Sequence, residues 1–246
     1  MVSKSCRWAA AAVVAVSLPA VHAQLNNAAR IALMQDDAGI VLGEPCIVIE
    51  KIESIRPLAD GTMLTRRTEE RKWRDAQGRF RKESKEESQQ SEFHTASIID
   101  PTNSTLTLLN LDLKTAIVFH LPDRGPESLH SYADLDDKQP LALPGVQVKV
   151  EKLDGKMING VYAVGRRVTR VRPPGTIGND TPVVSVAERW VSPDLKILMA
   201  SSSDDPREKL TREVAKLDRS EPNPALFTIP ADFAVKEVTV GPRQQQ

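Results

Sequence analysis

The 246-residue sequence predicts a mainly β protein: a single curved antiparallel sheet or open half-barrel built from meandering hairpins, with few short helices. Two observations carry that prediction. Short β-branched and apolar runs recur along the chain, separated by turn chemistry such as Asp60-Gly61 and Asp75-Ala76-Gln77-Gly78, the composition of strands joined by tight turns. Within several runs apolar and polar residues alternate, the period of a strand with one face on a core and the other in water.

The first element is an export leader over residues 1–23. Lys4 and Arg7 supply its positive start, Trp8 to Leu18 its apolar run, and Val21-His22-Ala23 the small residues of a cleavage site between Ala23 and Gln24. The run falls short of the about 20 residues that span a bilayer. Cys6 precedes it instead of standing at the cleavage site, unlike a lipoprotein signal. The expected product is therefore secreted or periplasmic, with no transmembrane segment after processing. Of the 33 basic residues two lie in the leader, so 31 face 33 acids in the remainder. That near-neutrality argues against nucleic acid as a partner.

Residues 24–43 read as an N-terminal segment, a short helix or a flexible stretch, and 44–240 as a single β-rich domain. Strands are predicted over Cys46 to Ile55, Met63 to Arg74 and Arg79 to Glu87, then up to Ser97-Ile98-Ile99 before the turn Asp100-Pro101-Thr102-Asn103. Leu109, Leu111 and Leu113 alternate with Asn110 and Asp112, and Ile117, Phe119 and Leu121 repeat the pattern, predicting two short strands around a Lys114-Thr115 turn. The four prolines and clustered acids of 122–144 predict an exposed connection. Strands resume over Val146 to Lys152, Val161 to Arg172, Val183 to Val191 and Leu195 to Ser201. In 206–219, Leu210, Val214 and Leu217 have helical spacing behind an Asp-Pro start, and pattern alone leaves helix and strand equally open. Glu221 to Phe233 is proline-punctuated and extended. The tail, 241–246, is expected to be disordered.

After the leader only Cys46 remains, so an intrachain disulfide is excluded. It lies in the apolar run Cys46-Ile47-Val48-Ile49, where a thiol acts as a small hydrophobe. No serine elbow with flanking glycines is present, and His94, His120 and His130 lack the spacing of metal ligands. Asp134, Asp136 and Asp137 fail as a calcium loop because Gln139 takes the glycine position and Gly145 that of the twelfth-position acid. Neither a catalytic residue, a metal site nor a cofactor is predicted.

Two basic features stand out. In the hairpin from Thr65 to Ser91 fifteen of 27 residues are charged, nine of them basic; it reads as a solvated sheet face held by cross-strand ion pairs, or as a docking arm with Arg66, Arg67, Arg71, Arg79 and Arg81 as contacts. Arg166, Arg170 and Arg172 share one strand face by period two, with Glu188 as the expected ion-pair partner of one of them. These eight arginines are the candidate partner contacts.

The chain resembles an uncharacterised family of secreted bacterial proteins at Ile158-Asn159-Gly160-Val161, Gly175-Thr176-Ile177-Gly178-Asn179-Asp180 and Glu188-Arg189-Trp190-Val191-Ser192-Pro193-Asp194-Leu195. Asp205-Pro206-Arg207, Glu221-Pro222-Asn223-Pro224-Ala225-Leu226-Phe227 and Pro230-Ala231-Asp232-Phe233 extend it, and Trp73-Arg74-Asp75-Ala76-Gln77-Gly78-Arg79 and Ile99-Asp100-Pro101 match more loosely. The order of these pieces is similar to periplasmic lipoprotein carriers and related sensor domains. That likeness implies a half-closed antiparallel barrel, a strand at 206–219, and acyl chains as a ligand class. Read physically, the matched residues are architectural: Trp190 and Phe227 fill the core, and Pro193 and Pro230 fix φ.

The expected function is an exported, non-catalytic envelope binding module. Carriage of lipid or another apolar ligand stands second, because only 4% of the chain is aromatic whereas such cavities are apolar and often aromatic. Docking through the 65–91 hairpin stands third. Envelope lipids, lipoproteins and polymers are the expected partners, with oligomeric state open.

Overall fold

The computed structural model describes residues 41–87, 93–121 and 145–239. The leader, nearly all of 24–43, the connection 122–144 and the tail 241–246 lie outside the described residues. Among the described residues twelve strands follow one another: β1 (Cys46–Pro57), β2 (Met63–Arg74), β3 (Phe80–Glu86), β4 (Thr95–Asp100), β5 (Thr105–Asn110), β6 (Thr115–His120), β7 (Gln147–Ile158), β8 (Val161–Arg172), β9 (Val183–Ser192), β10 (Ile197–Asp205), β11 (Glu208–Asp218) and β12 (Ala234–Thr239). They form one sheet in the order β12-β6-β5-β4-β3-β2-β1-β11-β10-β9-β8-β7. Neighbours are antiparallel except β12, which lies parallel to β6. The two edge strands do not pair with each other, so the barrel is open.

A sheet this wide must coil, since open sheets beyond about ten strands rarely stay flat. Phe80 on β3 and Leu198 on β10 are four strands apart, about 19 Å in a flat sheet, yet line one small space. Arg74 on β2 likewise donates from Nη2 to the Leu195 carbonyl beside β10, at 2.6 Å, and from Nε to the Glu44 carbonyl at 2.8 Å. The sheet is therefore curled at this end.

Both faces of β3 to β6 are cored. Phe80, Ile99, Leu106, Phe119 and Val238 pack on one side; Ala96, Ile98, Leu109, Ala116 and Phe227 pack on the other. The second cluster is roofed by the 3-10 turn Pro224–Phe227, begun by Pro224 and by the Asn223 side chain accepting from Ala225 N–H at 3.0 Å. A third cluster joins Cys46 and Val48 to Val161, Ala163, Leu195, Ile197, Met199 and Val214.

Two expectations change and one open alternative is resolved. Leu111 and Leu113 are not strand residues: Asn110 Oδ1 accepts the Leu113 N–H at 2.8 Å and Lys114 takes a positive φ, turning the chain and leaving Leu113 exposed. The 206–219 segment is strand β11, as the family likeness implies. Residues 234–239, where Val235 and Val238 do not alternate, form β12, completing the sheet in parallel with β6 and making it mixed instead of purely antiparallel. Among the described residues no helix is long and apolar enough to cross a membrane.

Candidate functional site

Registered partners on neighbouring strands, and alternate residues along one strand, share a face. Glu50 on β1 faces Glu70 on β2, and Lys72 faces Lys82 on β3; this is the Glu50 face. Ile47, Trp73 and Arg81 define the opposite, Trp73 face.

Glu50 follows Cys46 and Val48 on the core side of β1 and is 2% exposed. A carboxylate so placed is costly unless paired. Lys72 Nζ stands at 2.9 Å and Arg212 Nη1 at 3.0 Å from it. The same cations approach Glu70 at 3.3 and 3.6 Å, so the two facing carboxylates are bridged. Burial pushes the Glu70 carboxyl up, but Lys72, Lys82 and Arg212 outweigh it and hold the group below its ordinary value.

From Arg212 a line of registered residues runs outward: Arg212 on β11, Ser201 on β10, Arg189 on β9, Arg166 on β8 and Lys152 on β7. At about 4.8 Å between strands the row spans about 19 Å. Lys152 and Arg189 are exposed; Arg166 and Arg212 are half-buried. Arg170 and Arg172 continue the same face along β8, Arg172 reaching Ser185 Oγ at 3.2 Å and Asp205 at 3.7 Å. The acids of β7 to β11 on this face are Asp154, two residues along β7 from Lys152, and Asp205 and Glu208. Arg207 also holds Asp205, at 2.8 Å, and Arg56 holds Glu208, at 3.2 Å. Opposite charges across strands stabilise a sheet by about 0.2–1 kcal/mol, and like charges directly opposite destabilise it. Lys152, Arg166 and Arg189 stand in register on three neighbouring strands, Arg166 and Arg189 each with a partner within the chain.

The hairpin arginines do not form one surface. Arg66 and Arg67 are exposed on opposite faces of β2, paired with Glu86 and, at 2.7 Å, Glu53. Arg71 pairs with Glu69 at 3.1 Å and covers the Phe93 ring. Arg79 bonds Asp75 at 2.6 Å and lies over Phe227. Arg81 is 8% exposed, grips Glu83 and donates to the Leu226 carbonyl at 3.0 Å. Arg79 and Arg81 thus tie the second hairpin to the C-terminal roof.

Glu188 pairs with Arg167 at 2.6 Å, on the Trp73 face, not with an arginine of the Arg166 set. Trp190 lies across Gly165 and packs on the third core cluster; Phe227 is buried under the roof. Pro193 stands in the β9–β10 turn and Pro230 accepts from Phe233 N–H at 3.1 Å in an exposed turn.

Glu50, Lys72, Glu70, Arg189, Arg212 and Lys152 are absent from the sequence-derived set. Glu50 carried a signal, a charged residue at the core-side parity of an apolar strand. The others acquire meaning only through register, which no single strand contains.

A concavity of about 880 Å³ opens on the Trp73 face of β7 to β10. Its charges are paired, Lys149 with Glu151 at 2.9 Å, Arg167 with Glu188, and Asp204 with Lys209 beside it at 3.3 Å. The enclosed space beside Cys46, Glu50, Lys72 and Arg74 is about 20 Å³, the size of one water. Burial pushes the Cys46 thiol up, away from the thiolate that reacts. His94 and His120 are exposed and pair with Asp112 at 2.6 Å and Glu237 at 3.1 Å. Among the described residues no cluster of His, Cys, Asp and Glu is placed to hold a metal.

No family model matches the chain, and no curated protein does. Three solved structures align over most of it. A domain named for outer membrane lipoprotein sorting, from Vibrio parahaemolyticus, is 11% identical, with 84% of this chain and 94% of that one covered and a TM-score of 0.31. A LolA superfamily protein from Nitrosomonas europaea is 10% identical over 81% and 97%, TM-score 0.34. A β-barrel-like protein of a domain of unknown function from Brucella abortus is 10% identical over 74% and 100%, TM-score 0.31. Likeness at this level carries no ligand or activity across.

Proposed function

We propose that this chain is a non-catalytic binding module of the bacterial cell envelope, exported after cleavage between Ala23 and Gln24, and that its ligand seats on the Glu50 face of β8 to β11. The observation that supports this reading is the row of cations in register on that face, anchored at Arg212 by buried Glu50 and Glu70. Such a row suits the holding of a charged partner. Acyl-chain carriage asks for a continuous apolar cavity; the space beside Cys46, Glu50, Lys72 and Arg74 is about 20 Å³ and the concavity on the Trp73 face is lined by charged residues, and neither supports that second reading.

Native mass spectrometry of protein purified from its own envelope tests the proposal. A bound species is expected on the wild type and is lost from the Arg166→Thr/Arg189→Thr double variant. Retention of the species by the double variant contradicts the seat, and robust turnover on a hydrolase panel, abolished by one point substitution, contradicts the non-catalytic reading.

A further inference from the structure

We infer that Arg74 holds one small monovalent anion, a halide such as chloride, in the space it shares with Cys46, Lys72 and Phe80. This site lies on β2, apart from the cation row of β8 to β11, and does not depend on it.

Arg74 is 1% exposed. Its Nε and Nη2 donate to the Glu44 and Leu195 carbonyls, but its Nη1, also buried, has no hydrogen-bond partner. Register sets Cys46 on one side of it and Phe80 on the other, so the guanidinium sits between apolar neighbours. Burial pushes it down from its ordinary value, and the Cys46 sulfur and Glu44 offset that only in part. A charge so placed is costly unless it is paired. Among the described residues no carboxylate bridges Arg74: Glu44 pairs with Arg219 at 3.7 Å and Asp75 with Arg79 at 2.6 Å.

The walls decide which anion fits. Val48, Ile197 and Leu198 add apolar surface to Cys46 and Phe80, and Lys72 and Glu50 are the other polar members. The volume, about 20 Å³, admits one particle of about the size of water, which excludes phosphate, sulfate and carboxylates. Lys72, Arg74 and Arg212 stand against Glu50 and Glu70, one positive charge in surplus, and half-buried Lys82, opposite Lys72, adds to that side. A water has to donate its own hydrogens, and Glu50 Oε2 already accepts from Lys72 and Arg212. A halide only accepts, and the group without a partner is a donor. Bound there, it neutralises the guanidinium that ties β2 to the Leu195 carbonyl beside β10, so its uptake stabilises the curled end of the sheet.

The test is thermal melting of the whole processed chain at fixed ionic strength while gluconate, too large for the space, is replaced by chloride, so that screening is constant and only the anion changes. Tm should rise by about 3 °C or more and saturate, as for a single site. Crystals grown in bromide should show an anomalous peak in contact with Arg74 Nη1. Arg74→Met should abolish both signals, but it also removes the two carbonyl contacts and with them part of the fold. Cys46→Met keeps Arg74 and fills the space with a thioether; this variant should fold and lose both the chloride response and the bromide peak. A wild-type Tm that is the same in gluconate and chloride overturns the inference. A water at Arg74 Nη1 in the bromide crystals, or an undiminished chloride response in folded Cys46→Met, overturns it equally.

Discussion

Glu70 is the residue in which burial and charge are most directly opposed. Its desolvation favours the neutral acid, and three nearby cations favour the carboxylate and prevail. A folded-state value below the unfolded one means that the group's stabilising contribution is complete above the ordinary glutamate range and is lost as pH falls through the lowered folded value. Glu70→Gln should therefore cost about 1–3 kcal/mol at neutral pH, the scale of hydrogen bonds to charged groups. Urea melts at a series of pH values should show that difference shrinking below the glutamate range. A constant difference down to strong acid would mean that the loss is steric. Glu50 was legible in the sequence as a charge on the apolar side of a strand, since Cys46, Val48 and Glu50 alternate. Its partner Arg212 was not, because 162 residues separate them and only the β1–β11 pairing brings them together.

Strand β11 explains why pattern alone left 206–219 undecided. Leu210, Arg212 and Val214 occupy one face by the period of two, and the register with β1 then slips by one residue between Ile49 and Glu50, so that Leu217 faces Val48. The bulge converts an expected spacing of two into three, and the sum imitates a helix: four residues, then three. Most other strands were readable to within two or three residues because alternation and turn chemistry agree locally. Leu109-Asn110-Leu111 misled because its alternation continues into a turn closed by Asn110. At β8 and β9 the notable constraint is Gly165. A Cβ added there would sit 2.6 Å from the Trp190 ring, whose face also carries Lys156 Nζ at 3.9 Å from the centroid. Gly165→Ala should destabilise by about 1–3 kcal/mol through overpacking, read by urea denaturation with tryptophan emission. Wild-type stability would show that Trp190 has room to move.

Across the whole molecule the sheet divides its labour. The β3 to β6 part carries apolar cores on both faces, whereas the Glu50 face of β7 to β11 carries charge in rows. The fold class followed from single strands, but the seat did not, because a row across the sheet samples residues 152, 166, 189, 201 and 212, which no linear motif connects. Arg166, Arg170 and Arg172 were visible as a stripe along one strand; the direction that matters for a ligand runs perpendicular to it. Near-neutral net charge also conceals the feature, since Lys152, Arg166, Arg170, Arg172, Arg189 and Arg212 share one face of β7 to β11 while acids elsewhere balance them in the sum.

The claim that this face is the ligand seat is tested most directly by observing the guanidinium signals of the individual arginines by NMR while an envelope extract is titrated in. The account predicts that Arg166 and Arg189 shift first and most, with Arg212 following, while Arg67, Arg71 and Arg167 on the opposite face stay in place. Shifts confined to the hairpin arginines Arg66, Arg67 and Arg71, or to Arg167 in the opposite groove, would contradict it.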